Sequence, residues 1–291
     1  MISQFAPAKV NLTLHAGPVR DDGYHPLDSL VVFADWGDHL AAVASDKLEL
    51  TLSGEGAEQL EAEGNNLVLR AAEALRKAAR LPVFAGAKLH LTKAIPMGAG
   101  LGGGSSDAAA TLRALNRLWH LDWPLDRLIP VAAEIGSDVP ACLHARPLRM
   151  TGRGEIIEAL KVWPVLDAVL CLPGLQVPTG KVFAAFDTGE PTALPPPGDL
   201  PSAKTAKDAL AVAAAGRNDL ERAAISVEPR IGNVLAALNG APAARLAGLS
   251  GSGSTCWALF DSRAQAKTAA EALAAAHPEW VFKPVRLAGT R

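Results

Sequence analysis

The sequence predicts an α+β fold of two domains, residues 1–160 and 161–291, and three observations carry that prediction. Period-two alternation of apolar and polar side chains dominates the first fifty residues, at Leu12 and Leu14 and again over 47–52. Strands come before helices in the first half and are mixed with them in the second, without the strict strand–helix–strand rhythm of a doubly wound parallel sheet. The composition changes at 161–164, where a proline closes a short mixed stretch, and the domain boundary is placed there.

The elements follow in order. The opening strands read as antiparallel, with a turn at Asp21, Asp22 and Gly23 and short apolar runs at 30–33 and 40–43. Asn66 is placed to cap a helix whose apolar stripe is Val68, Ala71, Ala72, Leu75 and Ala79, and Pro82 marks the exit. Residues 88–93 alternate as a strand and run into a glycine-rich turn at 96–106. A strong helix follows, with Ser105 or Ser106 as its cap, Asp107 in its first turn, and Ala108, Leu112, Leu115, Leu118 and Trp119 at helical spacing. A second helix spans 125–135. Beyond the boundary, 166–172 reads as a buried strand and the proline- and glycine-rich 188–201 as a surface loop. Helices are expected at 204–215, 219–227 and 230–238. A second glycine-rich turn at 249–255, a strand at 256–260, a helix at 264–276 and a strand at 281–287 complete the pattern.

Composition bounds the function. The 291 residues are 49% hydrophobic and 20% charged, ordinary globular usage, and the net charge of −2 provides no basic stripe of the kind nucleic acid demands. Cys142, Cys171 and Cys256 are far apart, with no CxxC pair, so neither a disulfide framework nor a structural zinc site is expected; each reads as a small core residue. His15, His39, His90, His120, His144 and His277 form no ligand-like cluster, and no protein-borne metal cage is expected. No basic start followed by an apolar run is found, and no window approaches the ~18 apolar residues of a membrane span. The expectation is a soluble, reduced, cytoplasmic protein with neither nucleic-acid nor membrane partners.

The glycine-rich turn carries the chemistry. Gly98, Gly100, Gly102, Gly103 and Gly104 fall within seven residues, between an alternating strand and an amphipathic helix. Unhindered backbone amides together with a helix N-terminus make an anion site there. Gly98, Gly100 and Gly103 satisfy G-x-G-x-x-G, yet 121–135 reads as helix where a dinucleotide fold needs a second strand ending in an acid. Gly-Lys-Ser/Thr is also missing, so a Walker cradle is excluded, and a phosphate cradle of another type remains.

Three segments together resemble the GHMP kinase superfamily across nearly the whole chain. They are 6–12, around Lys9 and Asn11; the loop of Pro96, Met97, Gly98, Ala99, Gly100, Leu101, Gly102, Gly103, Gly104, Ser105 and Ser106; and 249–255. Residues 20–25, with Gly23, Tyr24 and His25, and 136–140 around Asp138 resemble the branch acting on 4-diphosphocytidyl-2-C-methyl-D-erythritol. Ser137 stands where that branch usually has alanine, and Asp107 where asparagine is common. The resemblance implies a two-domain fold with the active site in the interdomain cleft. It implies ATP-dependent phosphorylation of the substrate's 2-hydroxyl in the non-mevalonate route to isopentenyl diphosphate. Another GHMP-type alcohol kinase is the alternative.

By the same resemblance Asp138 is the base that takes the hydroxyl proton and Lys9 its companion. A lysine beside a carboxylate favours the charged form and can stabilise migrating phosphoryl charge. The nucleotide falls to the 96–106 loop, with Asn66 near adenine and Lys93 near ribose or phosphate; a solvated strand charge is the plain alternative for Lys93. Mg²⁺ is expected mainly on the ATP phosphates, touched by Ser106 or Asp138. Asn11 is implied to contact the polyol, Tyr24 and His25 the cytosine of the cytidine diphosphate group, with Phe183 on its other side. Gly251 and Ser252 are implied to line the site near the transferring group. The expected assembly is a monomer or weak homodimer.

Overall fold

A computed structural model describes residues 1–55, 57 and 66–288. The elements are β1 (Ile2–Asn11), β2 (His15–Ala16), β3 (Leu27–Ser45), β4 (Leu48–Gly54), α1 (Leu67–Ala78), β5 (Gly86–Lys93), α2 (Gly103–Leu118), α3 (Leu125–Ile135), α4 (Val139–His144), β6 (Leu148–Gly152) and β7 (Ile156–Ala159). They continue with β8 (Leu166–Leu172), α5 (Thr179–Asp187), α6 (Ala206–Ala215), α7 (Glu221–Val227), α8 (Arg230–Asn239), β9 (Leu246–Leu249), β10 (Cys256–Phe260), α9 (Arg263–Ala276) and β11 (Val281–Ala288). This is the mixed α+β architecture that the sequence predicts. Among the described residues no helix is long and apolar enough to cross a membrane.

The chain forms two compact units. The first holds the described residues of Met1–Lys9, Trp36–Met97 and Gly102–Ala145; the second holds Val10–Asp35, Gly98–Leu101 and the described part of Arg146–Arg291. In the first, the C-terminal part of β3 pairs antiparallel with β5, Leu40 opposite Leu91, and β4 pairs with β5 in parallel, Leu50 opposite Leu89. The parallel pair corrects the all-antiparallel reading of the opening strands. Its cause is the crossover through α1, because parallel neighbours cannot be joined by a hairpin. α1 presents Val68, Ala71, Ala72 and Leu75 to the interior, and α2 packs against α1 and α4.

In the second unit, β11, β8, β10 and β9 lie side by side in that order, and every pair among them is antiparallel. β8 and β10 are buried almost throughout, which is why both read as apolar runs. The N-terminal part of β3 pairs with β2 and β6, and β6 turns back into β7. The core joins Val169 and Cys171 of β8, Ala258 and Phe260 of β10, and Ile231, Val234 and Leu238 of α8 with Ala266 and Leu273 of α9. The runs at 30–33 and 40–43 are two parts of a single 19-residue strand. Residues 188–201 contain neither helix nor strand, as expected.

Candidate active site

In the first unit, Lys9 Nζ lies 3.0 Å from Asp138 Oδ2. The Lys9 side chain is 6% exposed and that of Asp138 32%, so the pair has one open side. Asp138 sits at the N-cap position of α4 but makes no capping hydrogen bond, which leaves its carboxylate to Lys9. Arg113 of α2 fixes α4 against β1. Its guanidinium donates to the carbonyls of Cys142 at 3.0 Å and Leu143 at 3.3 Å, near the end of α4, and to the carbonyl of Phe5 on β1 at 3.0 Å. A cation there also complements the partial negative charge at a helix C-terminus. Burial pulls the Arg113 guanidinium down to about 10.

The turn after Pro96 meets this pair through Gly102. That residue is the N-cap of α2, with φ of 62°, and a Cβ on it would come within 3.1 Å of Lys9 Cε. Here the cap prediction is corrected: α2 begins at Gly103, and neither Ser105 nor Ser106 caps it. Ser106 is already inside the helix, its hydroxyl donating to the Pro7 carbonyl at 2.8 Å. The amides of Gly103, Gly104 and Ser105 open the helix and have no partner within it by its geometry. Near the lysine, those donors fit a phosphate.

Lys93 is not a solvated strand charge. It is 4% exposed, and its ammonium bonds to Asp38 at 2.5 Å and to Asp107 at 2.8 Å. Asp38 is further held by the amides of Ala94, at 2.5 Å, and Ile95, at 2.8 Å. Asp107 therefore pairs with lysine inside α2 and does not complement the dipole in the first turn. Its Oδ1 finds no hydrogen-bond donor among the described residues. Burial, joined by the negative charge of Asp38, pushes its carboxyl up to about 7 against the pull of Lys93. Burial lowers the Lys93 ammonium, but Asp107 and Asp38 outweigh it and the net shift is upward. A Cβ on Gly103 would lie 3.5 Å from Lys93 Nζ, so this cluster sits directly beneath the start of α2.

In the second unit, Asn11 and the two glycine-rich turns meet. The Asn11 amide donates to Ser250 Oγ at 3.2 Å, and that hydroxyl donates to the Gly100 carbonyl at 3.1 Å. The Thr255 amide donates to the Ala99 carbonyl at 3.0 Å. A Cβ on Gly100 would lie 2.3 Å from the Gly253 carbonyl oxygen, so only glycine allows this approach. The Asn11 side chain donates to Ser29 Oγ at 2.7 Å, and the Trp257 indole donates to the Asn11 carbonyl at 3.0 Å. Ser252 Oγ is 2.9 Å from Thr179 Oγ1, and a Cβ on Gly251 would be 3.5 Å from Asn11 Oδ1.

The same unit brings His25 and Phe183 together. Their rings stack with centroids 4.5 Å apart and 28° between planes, and Phe186 meets His25 edge-on at 6.0 Å. His25 Nε2 is 2.8 Å from Asp187 Oδ1. Tyr24 is 52% exposed, and the Arg153 guanidinium lies 4.9 Å from its ring centre. Asn66 accepts the Val68 amide at 2.8 Å, the expected helix cap. The three cysteines are buried and unpaired, and burial pushes the thiols of Cys142 and Cys171 up to about 12, which leaves neither thiolate-forming.

Sequence reasoning missed Asp38, Arg113, Asp187, Ser250 and Trp257. Ser250 had a visible signal, its place in the second glycine-rich turn. Asp38 and Arg113 had only their charge to mark them.

The fold and this loop define a class of small-molecule kinase. The family description "GHMP kinases N terminal domain" matches residues 66–146 and "GHMP kinases C terminal" matches 201–279. A 4-diphosphocytidyl-2-C-methyl-D-erythritol kinase of Paramagnetospirillum magneticum is 46% identical over 286 residues, 97% of either chain. That of Methylobacterium radiotolerans is 49% identical over 293 residues, 99% of either chain. A crystal structure of 4-(cytidine 5'-diphospho)-2C-methyl-D-erythritol kinase superposes with a TM-score of 0.78 at 34% identity, covering 99% of this chain and 100% of that one. A homoserine kinase of Cytophaga hutchinsonii shares the fold, with a TM-score of 0.72 at 21% identity over 99% of this chain and 94% of its own. The chain belongs to the GHMP kinases and, within them, to the family of 4-diphosphocytidyl-2-C-methyl-D-erythritol kinases.

Proposed function

We propose that this chain transfers the terminal phosphoryl group of ATP to the 2-hydroxyl of 4-diphosphocytidyl-2-C-methyl-D-erythritol, giving ADP and the 2-phosphate, in the non-mevalonate route to isopentenyl diphosphate. The observation that carries the mechanism is the 3.0 Å pair of Lys9 and Asp138 with Gly102 packed on the lysine. Asp138 takes the proton of the attacking hydroxyl at Oδ1 or Oδ2, and its half-open carboxylate leaves room for that contact. Lys9 orients Asp138 and faces the phosphoryl charge that develops during transfer. The opening amides of α2, at Gly103, Gly104 and Ser105, hold phosphate oxygens. A magnesium ion arriving with ATP would supply neutralisation of the phosphate charge. Of the two side chains expected near the ion, Ser106 is fully buried with its hydroxyl donating to Pro7, so the half-open carboxylate of Asp138 would be the one to approach it.

The remaining roles belong to the same reading. Asn66 and Lys93 serve the nucleotide, Lys93 by supporting the start of α2 from below. Asn11, Gly251 and Ser252 serve the polyol and the transferring group. Tyr24 and His25 take the cytosine; Phe183, expected on the base's other side, instead stacks directly on His25 with centroids 4.5 Å apart, which supports a two-ring platform for one face of the base. The substrate's tertiary alcohol is a hindered nucleophile, so holding it in line carries much of the rate. The reading includes a cytoplasmic protein, monomeric or weakly dimeric, with a boundary near residue 160; the family matches at 66–146 and 201–279 fall on either side of it.

Coupled ADP release tests this, with the cytidylyl substrate set against mevalonate, homoserine and galactose. Turnover of only one of the latter three would refute the substrate. Asp138→Asn is expected to lower kcat by about 10³-fold or more while leaving both KM values nearly unchanged. Near-full kcat in that variant would remove Asp138 from the role of base.

A further inference from the structure

Residues 188–201 are fourteen positions without helix or strand, longer than most connections in a compact unit. Such a segment reads at first as a lid. Its contacts describe something else.

At its start, Asp187 closes α5 and binds His25 at 2.8 Å. In its middle, Leu194 lies over Gly17: a Cβ on Gly17 would be 3.4 Å from Leu194 Cγ and 2.8 Å from Pro26 Cγ. Gly17 and Pro26 are themselves joined, the Gly17 amide donating to the Pro26 carbonyl at 2.9 Å. Near its end, the Gly198 carbonyl accepts from Arg149 Nη1 at 2.6 Å. Just beyond it, the Ala203 amide donates to the Val162 carbonyl at 3.3 Å.

Arg149 is the centre of this arrangement. It lies on β6 and is 7% exposed. Its Nε donates to Asp28 Oδ1 at 2.8 Å and its Nη2 to Asp28 Oδ2, so the carboxylate is gripped by both arms of the fork. Asp28 lies three residues after His25 on the strand that leaves the turn, and Gly198 lies eleven residues after Asp187. One guanidinium thus holds the chain flanking both partners of the His25–Asp187 contact. Four residues past Arg149, just beyond the end of β6, Arg153 lies over the ring of Tyr24.

We propose that residues 188–201 are a fixed strap, pinned by Arg149, that positions the Tyr24–His25 turn for the cytidine end of the substrate. Arg149 is a positioning residue for substrate choice, since it acts through Asp28 and Gly198. This rests on the assignment of Tyr24 and His25 to the cytidine group made above. Lysine cannot replace it, because a point charge cannot reach Asp28 twice and Gly198 once.

The test is steady-state kinetics of Arg149→Met and Arg149→Lys with each substrate varied in turn, alongside limited proteolysis. Loss of the fork is expected to raise KM for the cytidylyl substrate on the order of tenfold to a hundredfold. KM for ATP should stay within about twofold, as expected when an interaction serves one substrate only. Arg149→Lys should rescue little, and new cleavage should fall within 188–201. Leu194→Ala, which leaves Arg149 in place, should raise the same KM by a smaller factor and keeps the test open should Arg149→Met not fold. Equal loss for both substrates, or an unchanged cytidylyl KM beside a newly cleaved loop, overturns the strap. His25→Ala run in parallel separates the two failures. An unchanged KM there overturns the cytidine assignment and this proposal with it, whereas a raised KM there with unchanged Arg149 variants overturns the strap alone.

Discussion

Asp107→Asn should stabilise this fold at alkaline pH. Lys93 is shared by two buried carboxylates, Asp38 at 0% and Asp107 at 2% exposure, so with both ionised the cluster holds one negative charge without a partner. Asp38 accepts two backbone amides besides the ammonium, whereas Oδ1 of Asp107 accepts nothing among the described residues. Asp107 is therefore the carboxyl that keeps its proton, its value raised from 3.8 to about 7 by burial and by Asp38. The unfolded chain releases that proton near pH 4 and the folded chain near pH 7, so between them the folded state holds the extra proton. A raised value contributes stability that is complete below the unfolded value and is lost as pH rises through the folded one. Roughly three units at about 1.4 kcal/mol each bound the loss at about 4 kcal/mol. Asparagine keeps the shape and the acceptor for Lys93 and removes the titration, so about 2 kcal/mol of this should be regained at alkaline pH after the cost of a buried amide. Urea unfolding of both proteins at about pH 5 and about pH 8.5 measures it, with the variant's advantage expected only at the higher pH. An advantage of equal size at both pH values, or a less stable variant at the higher one, would refute the assignment of the spare charge to Asp107.

Two further substitutions test the loop and its supports. Gly102→Ala places a side chain at φ 62° and within 3.1 Å of Lys9, so it should cost roughly 1–2 kcal/mol of stability. In coupled ADP release it should lower kcat by an order of magnitude or more through displacement of Lys9, and unchanged kcat would uncouple the loop from the lysine. Trp257→Phe removes the indole donor to the Asn11 carbonyl and empties space against Gly248, so a loss of about 2–3 kcal/mol is expected in thermal unfolding; a neutral result would mean that the indole bond contributes nothing net.

Much of the fold was legible because the elements that were read correctly are the periodic ones. α1 with its Asn66 cap, α3, α9 and the apolar strands β8 and β10 each declare themselves within one window of sequence. The hairpin of β6 and β7, the short β9 and α5 were not anticipated, since each is brief and depends on neighbours supplied from elsewhere. The start of α2 was misplaced for a physical reason. Glycines are poor helix formers, so Gly103 and Gly104 read as turn, yet tertiary packing of α2 carries them into the helix. The parallel pairing of β4 was equally hidden, because alternation gives the face of a strand and not the direction of its neighbour. Ion pairs lay furthest from view: the 55 residues separating Asp38 from Lys93 carry no local sign that they meet.

The contacts of Gly100 give a physical reason why the three resembling segments had to occur together. Glycine-rich backbone such as that of residues 98–101 is costly to order. Much of the order comes from partners distant in sequence: Ser250 Oγ accepts from the Asn11 amide and donates to the Gly100 carbonyl, while the Thr255 amide donates to the Ala99 carbonyl. The Gly253 carbonyl presses where a Cβ of residue 100 would be, so the approach is possible only between two glycine-rich turns. The N-terminal segment, the loop and the C-terminal turn are thus three partners in a single set of contacts, and none is sufficient to shape the loop without the others. A dinucleotide loop has no use for Ser250 or Asn11, so those two residues, and not the count of glycines, separate a G-x-G-x-x-G match from a kinase loop.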